Sequence, residues 1–146
     1  MLQHKRRQAA SENALSKASD EVSEPRHQPI EADFSLRIQT ELYARLKEMR
    51  QRGQLKKSQF RDRDSAIAAA HARLQLLGSE AVFELYVGAD GTGFFTGPLT
   101  QEFLRACLRS GHEGVAAILP TFESGVLLDV VLDDPVQGNF YEVEWW

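Results

Sequence analysis

Apolar residues recur at helical spacing in two stretches of the first half of the chain. In the first stretch, one stripe predicts a helix over about residues 34–52: Ile38, Leu42, Leu46 and Met49. In the second, the stripe that runs from Ile67 to Leu77 predicts another helix, which stops at Gly78. We therefore expect a pair of amphipathic helices joined by a short basic connector.

The second half of the chain changes to the alternation of apolar and polar residues that is typical of strands. Strands are predicted over residues 81–87, 94–96, 115–119, 126–132 and 139–146. A third helix is predicted between a cap at Thr100 and a terminator at Gly111. The fold class is therefore α+β, with two N-terminal helices followed by a mainly antiparallel sheet of about five strands and one inserted helix.

The first 32 residues differ in composition from the rest of the chain. They are polar, hold few large apolar side chains, and include Pro25 and Pro29. Such a segment cannot bury enough apolar surface to offset the entropy lost on ordering. We predict a disordered, flexible arm over residues 1–32 and a single α+β domain over residues 33–146.

Length and composition exclude several classes of protein. The chain has 146 residues, of which 42% are hydrophobic, enough for one domain with its own core. No apolar run reaches the ~18–20 residues that a bilayer crossing needs, and no apolar stretch follows Lys5-Arg6-Arg7 as in a signal peptide. Cys107 is the one cysteine, which excludes an internal disulfide and a cysteine metal cage. We expect a cytoplasmic protein without a membrane segment, metal or cofactor.

Charge is divided unevenly along the chain. Residues 1–75 hold 15 Lys and Arg against 10 Asp and Glu, whereas residues 76–146 hold 2 against 11. The formal net charge of −4 describes neither half. Segregated charge is informative about partners and steering, although it says nothing about the fold.

Strand alternation sorts the side chains of the second half onto two faces. One face is apolar and needs a cover of helices: Phe83, Leu85, Val126, Leu128, Val130, Tyr141, Val143 and Trp145. The other carries acids interleaved with aromatic and apolar residues, and we expect it to face water. Carboxylates steer a basic partner while aromatic side chains supply contact area, as in inhibitor-like and immunity-like proteins. This likeness is one of physics alone, because no motif assigns the chain to a family.

The leading hypothesis is therefore a non-enzymatic module that binds a basic protein partner. Its predicted contact residues are Glu84, Tyr86, Asp129, Asp133, Asp134, Glu142, Glu144 and Trp146. A plainer alternative needs no ligand: the acids form the solvated side of the domain, covered in part by the basic helices of the same chain or of a second copy in a homodimer.

Two further alternatives remain open. The basic segment at residues 37–63 could grip a nucleic-acid backbone through Arg45, Lys47, Arg50, Arg52, Lys56, Lys57, Arg61 and Arg63. Alternatively, Glu84, Asp129 and Glu142 could converge on a divalent metal in a small hydrolase. No recognised metal-binding spacing supports that second alternative, and no histidine clearly belongs with these acids.

Overall fold

The computed structural model describes residues 28–87, 90–109 and 111–146. Within these residues the chain forms three helices: α1 (Ala32–Gln51), α2 (Arg63–Leu77) and α3 (Gln101–Arg109). It also forms seven strands: β1 (Gln28–Pro29), β2 (Lys56–Phe60), β3 (Val82–Val87), β4 (Asp90–Thr96), β5 (Gly114–Ile118), β6 (Gly125–Asp134) and β7 (Gly138–Trp145). The α+β class predicted from the sequence is confirmed.

All seven strands join one antiparallel sheet in the order β1-β4-β3-β5-β6-β7-β2. The prediction of about five strands was therefore too low by two. The connector between the first two helices contains β2, a polar strand whose sequence lacks the apolar alternation used to recognise strands. The other missed strand, β1, has only two residues, one of them Pro29. Both lie at the ends of the sheet, where short or polar strands are common.

The predicted flexible arm lies for the most part outside the described residues, since these begin at Gln28. Its last residues belong to the domain. Gln28 and Pro29 pair with β4, and the Ile30 N–H donates to the Phe94 carbonyl oxygen at 3.0 Å.

Helices α2 and α3 cover one face of the sheet, the face predicted to be apolar. Phe83 lies at its centre, fully buried, with its ring in an edge-on contact with Phe103 of α3. The buried sheet residues in this core are Phe83, Leu85, Phe95, Val115, Ala117, Val126, Leu128 and Val143. From α2 and α3 come Ala66, Ile67, Ala70, Leu74, Leu77, Phe103, Leu104, Ala106 and Cys107. The prediction that helices cover this face is confirmed.

Helix α1 covers the opposite face, which the leading hypothesis left to solvent and which the plainer alternative covered in part with the basic helices. Its apolar stripe forms a second core with five buried sheet residues: Val82, Phe94, Ala116, Ile118 and Leu127. The expectation of a water-facing acidic sheet was therefore wrong. The stripe of α1 needs an apolar surface to bury, and the apolar residues interleaved with the acids provide one.

Helix α1 crosses the whole width of the sheet. It begins just after β1 at one edge and ends shortly before β2 at the other. Twenty residues at about 1.5 Å per residue give a helix of about 30 Å, and seven strands spaced at about 4.8 Å span about 29 Å. The N-terminal half of α1 therefore lies over β4 and β3, and its C-terminal half over β6 and β7.

None of the helices among the described residues combines the length and the apolar character needed to cross a membrane.

Candidate functional site

A cavity of about 550 Å³ lies between the C-terminal half of α1 and the sheet. Helix α1 contributes Tyr43, Leu46, Lys47, Arg50 and Gln51 to its lining, and the sheet contributes Tyr86, Ala116, Leu127 and Asp129. Buried Leu46, Ala116 and Leu127 make its inner surface apolar, while its remaining groups are polar or charged. A concave, mostly apolar site with a few converging polar groups is typical of binding sites for ligands and inserted side chains.

Next to the cavity, β5 presents small residues beneath α1. Gly114 pairs with Tyr86 on one side and with Asp129 on the other, and Ala116 pairs in the same way with Glu84 and Leu127. The Tyr86 ring lies directly over Gly114, where a Cβ atom would overlap the ring carbons and the phenol oxygen. From there the Tyr86 hydroxyl donates a hydrogen bond to Asp129 Oδ1.

Asp129 and Tyr86 both have perturbed electrostatic environments in the cavity. The pKa of Asp129 is raised to about 6, chiefly because the carboxyl is buried and further because Glu144 and Glu142 lie close by. The Tyr86 hydrogen bond and Arg50 act in the opposite direction but do not cancel these effects. Burial, together with the Asp129 charge, also raises the pKa of Tyr86 well above its usual value. Perturbed groups of this kind mark candidate functional sites.

Three carboxylates meet beside the cavity. Asp129, Glu142 and Glu144 each offer an oxygen within 4.8 Å of the others, because Asp129 is paired with Glu142 across β6 and β7 and Glu144 lies two residues along β7. Carboxylate oxygens are the ligands that Ca²⁺ and Mg²⁺ prefer, so these three residues could hold a divalent ion. They also have protein cations beside them: Arg50 lies 3.2 Å from Glu144, and Lys57 lies 3.5 Å from Glu142.

Glu84 does not belong to this cluster, although it was grouped in the sequence analysis with Asp129 and Glu142. It is fully buried beneath α1, where Gln39 donates a hydrogen bond to its Oε1 at 2.5 Å. Glu144 is also buried, with a relative exposure of 7%. The expectation that these two acids form part of an exposed contact surface was therefore wrong, because the strands place them under the helix.

The remaining predicted contact residues lie in three places: at the cavity, at the other end of the face under α1, and at the turn between β6 and β7. Tyr86, Asp129 and Glu142 are partly buried at the cavity or beside it. Trp146 is also partly buried: its ring lies over Gly125 and its Nε1 donates to the Phe122 carbonyl oxygen at 3.4 Å. Packing therefore explains the position of Trp146, which lies under α1 at the end of the sheet face away from the cavity.

Asp133 and Asp134 lie apart from the cavity, at the turn between β6 and β7. The Asp134 carboxylate accepts the backbone N–H groups of Val136 at 2.9 Å and Gln137 at 2.7 Å, which lowers the pKa of Asp134. Asp134 therefore has a structural role in closing the turn. Asp133 is exposed, with a positive φ of 57°.

The predicted nucleic-acid contacts are mostly engaged with protein oxygens. Arg45 and Arg52 form i,i+4 pairs with Glu41 and Glu48, at 2.9 and 3.0 Å. Arg50 and Lys57 pair with acids of β7, as described above. Arg61 donates to the Gln137 carbonyl oxygen, and Arg63 lies 4.0 Å from Asp64.

Lys47 lines the cavity and Lys56 is exposed on β2. Five of the eight predicted contacts are thus paired with acids of the domain, which weakens the electrostatic basis for phosphate binding.

Most of the cavity lining was not identified from the sequence. Tyr43, Leu46, Gln51, Ala116 and Leu127 were not predicted as site residues, because their proximity depends on α1 covering the second face. The sequence did contain one relevant signal. Gly114 and Ala116 place two small residues on the same face of β5, and the residues paired with them in β3 and β6 are larger. Missing side-chain volume in a buried strand indicates a cavity or a close approach of another group.

No protein-family model, curated protein sequence or solved structure matches this chain.

Proposed function

We propose that the protein is a non-enzymatic binding module that accepts a positively charged side chain of a basic protein partner in the cavity under α1. The observation that carries the proposal is the opening of this cavity onto Asp129, a half-buried carboxyl beside two further acids. The binding site is thus one cavity, rather than the whole acidic sheet face that was predicted from the sequence.

The carboxyl of Asp129 is the group of the cavity that would attract a cation. Burial is the main reason that the pKa of Asp129 is raised; Glu144 and Glu142 add to this effect, while the Tyr86 hydrogen bond and Arg50 oppose it. A carboxylate with a raised pKa is one whose ionised form is poorly compensated. A positive group entering the cavity would stabilise that ionised form, so binding of the cation and loss of the Asp129 proton favour one another.

The hairpin of β6 and β7 offers a second contact region for a large partner. Leu132 and Val136 there are exposed to 55% and 92%, and Asp133 lies between them on the surface. Exposed apolar residues next to acids suit a protein partner with a mixed basic and apolar surface. The hairpin would add contact area and long-range attraction to the interaction in the cavity.

Titration of the ¹⁵N-labelled protein with capped lysine and capped arginine, followed by NMR, tests the proposal. Capped glutamate serves as the negative control. We expect shift changes at Tyr86, Leu127 and Asp129 with the cationic probes, and none in Asp129→Asn, which keeps an acceptor for Tyr86. Millimolar affinity is the expected range for a single side chain. If neither cation shifts these residues at tens of millimolar, or if Asp129→Asn responds as the wild type does, the proposal is wrong.

A further inference from the structure

We propose that the side chain accepted by the cavity is an arginine of the partner protein, held by the rings of Tyr43 and Tyr86 and by the carboxylate of Asp129. This inference rests on the proposed function and adds the identity of the group recognised. Lysine and arginine carry the same charge, so the choice between them depends on the walls of the cavity.

The apolar inner surface suits a long side chain with a charged end. Leu46 and Leu127 are buried and line the cavity, and Ala116 leaves space between them. The three methylene groups of an arginine can pack against such residues while the guanidinium group reaches Asp129. The cavity volume of about 550 Å³ accommodates the whole side chain.

Two aromatic residues line the cavity from its two sides. Tyr43 projects from α1 and Tyr86 from the sheet. A guanidinium group is planar, weakly hydrated and able to stack on an aromatic ring, whereas a lysine ammonium retains its water more strongly. Partial removal from water therefore costs arginine less.

This domain already places arginines over aromatic rings. The guanidinium carbons of Arg37, Arg45 and Arg73 lie 5.7, 5.1 and 4.1 Å from the ring centres of Phe34, Phe122 and Trp145. A partner arginine between Tyr43 and Tyr86 would repeat a contact that is common in this chain.

The two cations of the cavity lining oppose an incoming arginine to different degrees. Arg50 is paired with Glu144 at 3.2 Å, so much of its charge is compensated. Lys47 is exposed on the same side of α1 and lines the cavity. Removing the Lys47 charge should therefore strengthen the binding of a cation and weaken the binding of an anion, which makes Lys47→Gln a diagnostic variant.

The experiment compares four probes by NMR titration of the full chain: capped arginine, capped lysine, capped citrulline and free L-arginine. Citrulline keeps the shape of arginine without its charge. We expect capped arginine to bind at least about threefold more tightly than capped lysine, and citrulline to bind far more weakly. Tyr43→Leu should reduce the affinity for arginine more than that for lysine. Lys47→Gln should raise both affinities, while the control Lys56→Gln on β2 should change neither.

The outcomes separate this inference from the proposed function. Equal or tighter binding of lysine would overturn the choice of arginine and leave a cation-binding module in place. Tighter binding of free L-arginine than of the capped form would assign the cavity to an amino acid and overturn the partner side chain. Weaker cation binding in Lys47→Gln, or no binding of either cation, would overturn both proposals.

Discussion

The ring of Tyr86 occupies the space above Gly114 that a Cβ atom would need. This relationship places the Tyr86 hydroxyl against Asp129 across an intervening strand. Because Gly114 has no side chain, Tyr86 of β3 can reach Asp129 of β6 across β5 on the face under α1.

Gly114→Ala should destabilise the protein and disrupt the cavity. Alanine would normally be favoured over glycine in a strand, so any net loss reports the clash with Tyr86. We expect a loss of about 1–3 kcal/mol in the free energy of unfolding, measured by urea denaturation. Combining the substitution with Tyr86→Ala removes the clash, so the cost of Gly114→Ala should disappear in that background. Additive effects of the two substitutions would contradict this explanation.

Asp129 should make the protein less stable as the pH rises from about 4 to about 7. Its folded-state pKa is raised to about 6, above the ordinary value of an aspartate, so the folded state holds the proton more tightly than the unfolded state does. The resulting stabilisation is complete when the pH lies below the unfolded-state pKa of Asp129. It is lost as the pH rises through the folded-state pKa, and amounts in total to a free energy on the order of 3 kcal/mol.

Asp129→Asn isolates this effect from the other carboxyl groups. The variant should resemble the wild type in stability near pH 4 and become the more stable of the two near pH 7. Urea denaturation of both proteins across this range measures the difference. A difference that does not change with pH would show that the Asp129 proton is not coupled to folding.

Ser35→Ala should weaken the attachment of α1 to the sheet. The buried Ser35 hydroxyl accepts the Phe94 N–H at 2.7 Å, at the edge of β4 beyond the short β1. Loss of this acceptor leaves a buried N–H without its partner, at a cost of about 1–3 kcal/mol. Thermal denaturation and amide exchange of Phe94 provide the measurements.

Thr40→Ala is the matched control for Ser35→Ala. Thr40 lies on the exposed side of α1, where its hydroxyl donates to the Leu36 carbonyl oxygen at 2.9 Å. Both substitutions gain the helix propensity of alanine, but only Ser35→Ala removes a contact with the sheet. Equal stability of the two variants would mean that the Ser35–Phe94 contact contributes nothing.

Divalent ions should not stabilise the protein appreciably. Arg50 and Lys57 already compensate the acids of β7, and Tyr86 occupies an oxygen of Asp129. A metal would have to displace or rearrange these contacts before binding. We expect the melting temperature to be unchanged by Mg²⁺, Ca²⁺ or Mn²⁺. A clear increase that disappears in Glu142→Gln would instead support the metal-dependent alternative.

The protein should show little affinity for DNA or heparin even at low salt. The arginines within α1 and at its C-terminal end that were considered as phosphate contacts pair with Glu41, Glu48 and Glu144. Electrophoretic mobility shifts with mixed-sequence DNA at several salt concentrations provide the measurement. Binding that falls steeply as salt rises, and that is lost in Lys56→Glu, would favour the nucleic-acid alternative.

Local patterns predicted the elements of the fold more completely than their arrangement. The stripe on α1, the caps of α2 and α3 and the alternation in β3, β6 and β7 follow from neighbouring residues, and all correspond to observed elements. Strand alternation also assigned the acids to one face correctly. Whether that face meets water depends on where α1 docks, which is a long-range relationship that spacing alone does not specify.

The cavity was harder to predict for the same reason. Asp129 was identified because it is an acid on a strand, but its partners come from distant parts of the chain: Tyr86 from β3 and Arg50 from α1. Strand β2 lies between α1 and α2, which pack on opposite faces of the sheet. Because β2 is polar, the sequence did not predict it, and the two consecutive helices were therefore interpreted as a pair.

Because α1 spans the sheet from one edge to the other, its detachment would have two effects at once. Its flanking strands are the two ends of the sheet, so detaching the helix would loosen both terminal strands while uncovering the apolar residues beneath it. Loose terminal strands and uncovered apolar surface are the features that lead sheet proteins to aggregate. Solubility under stress should therefore depend on how firmly this one helix is held in place.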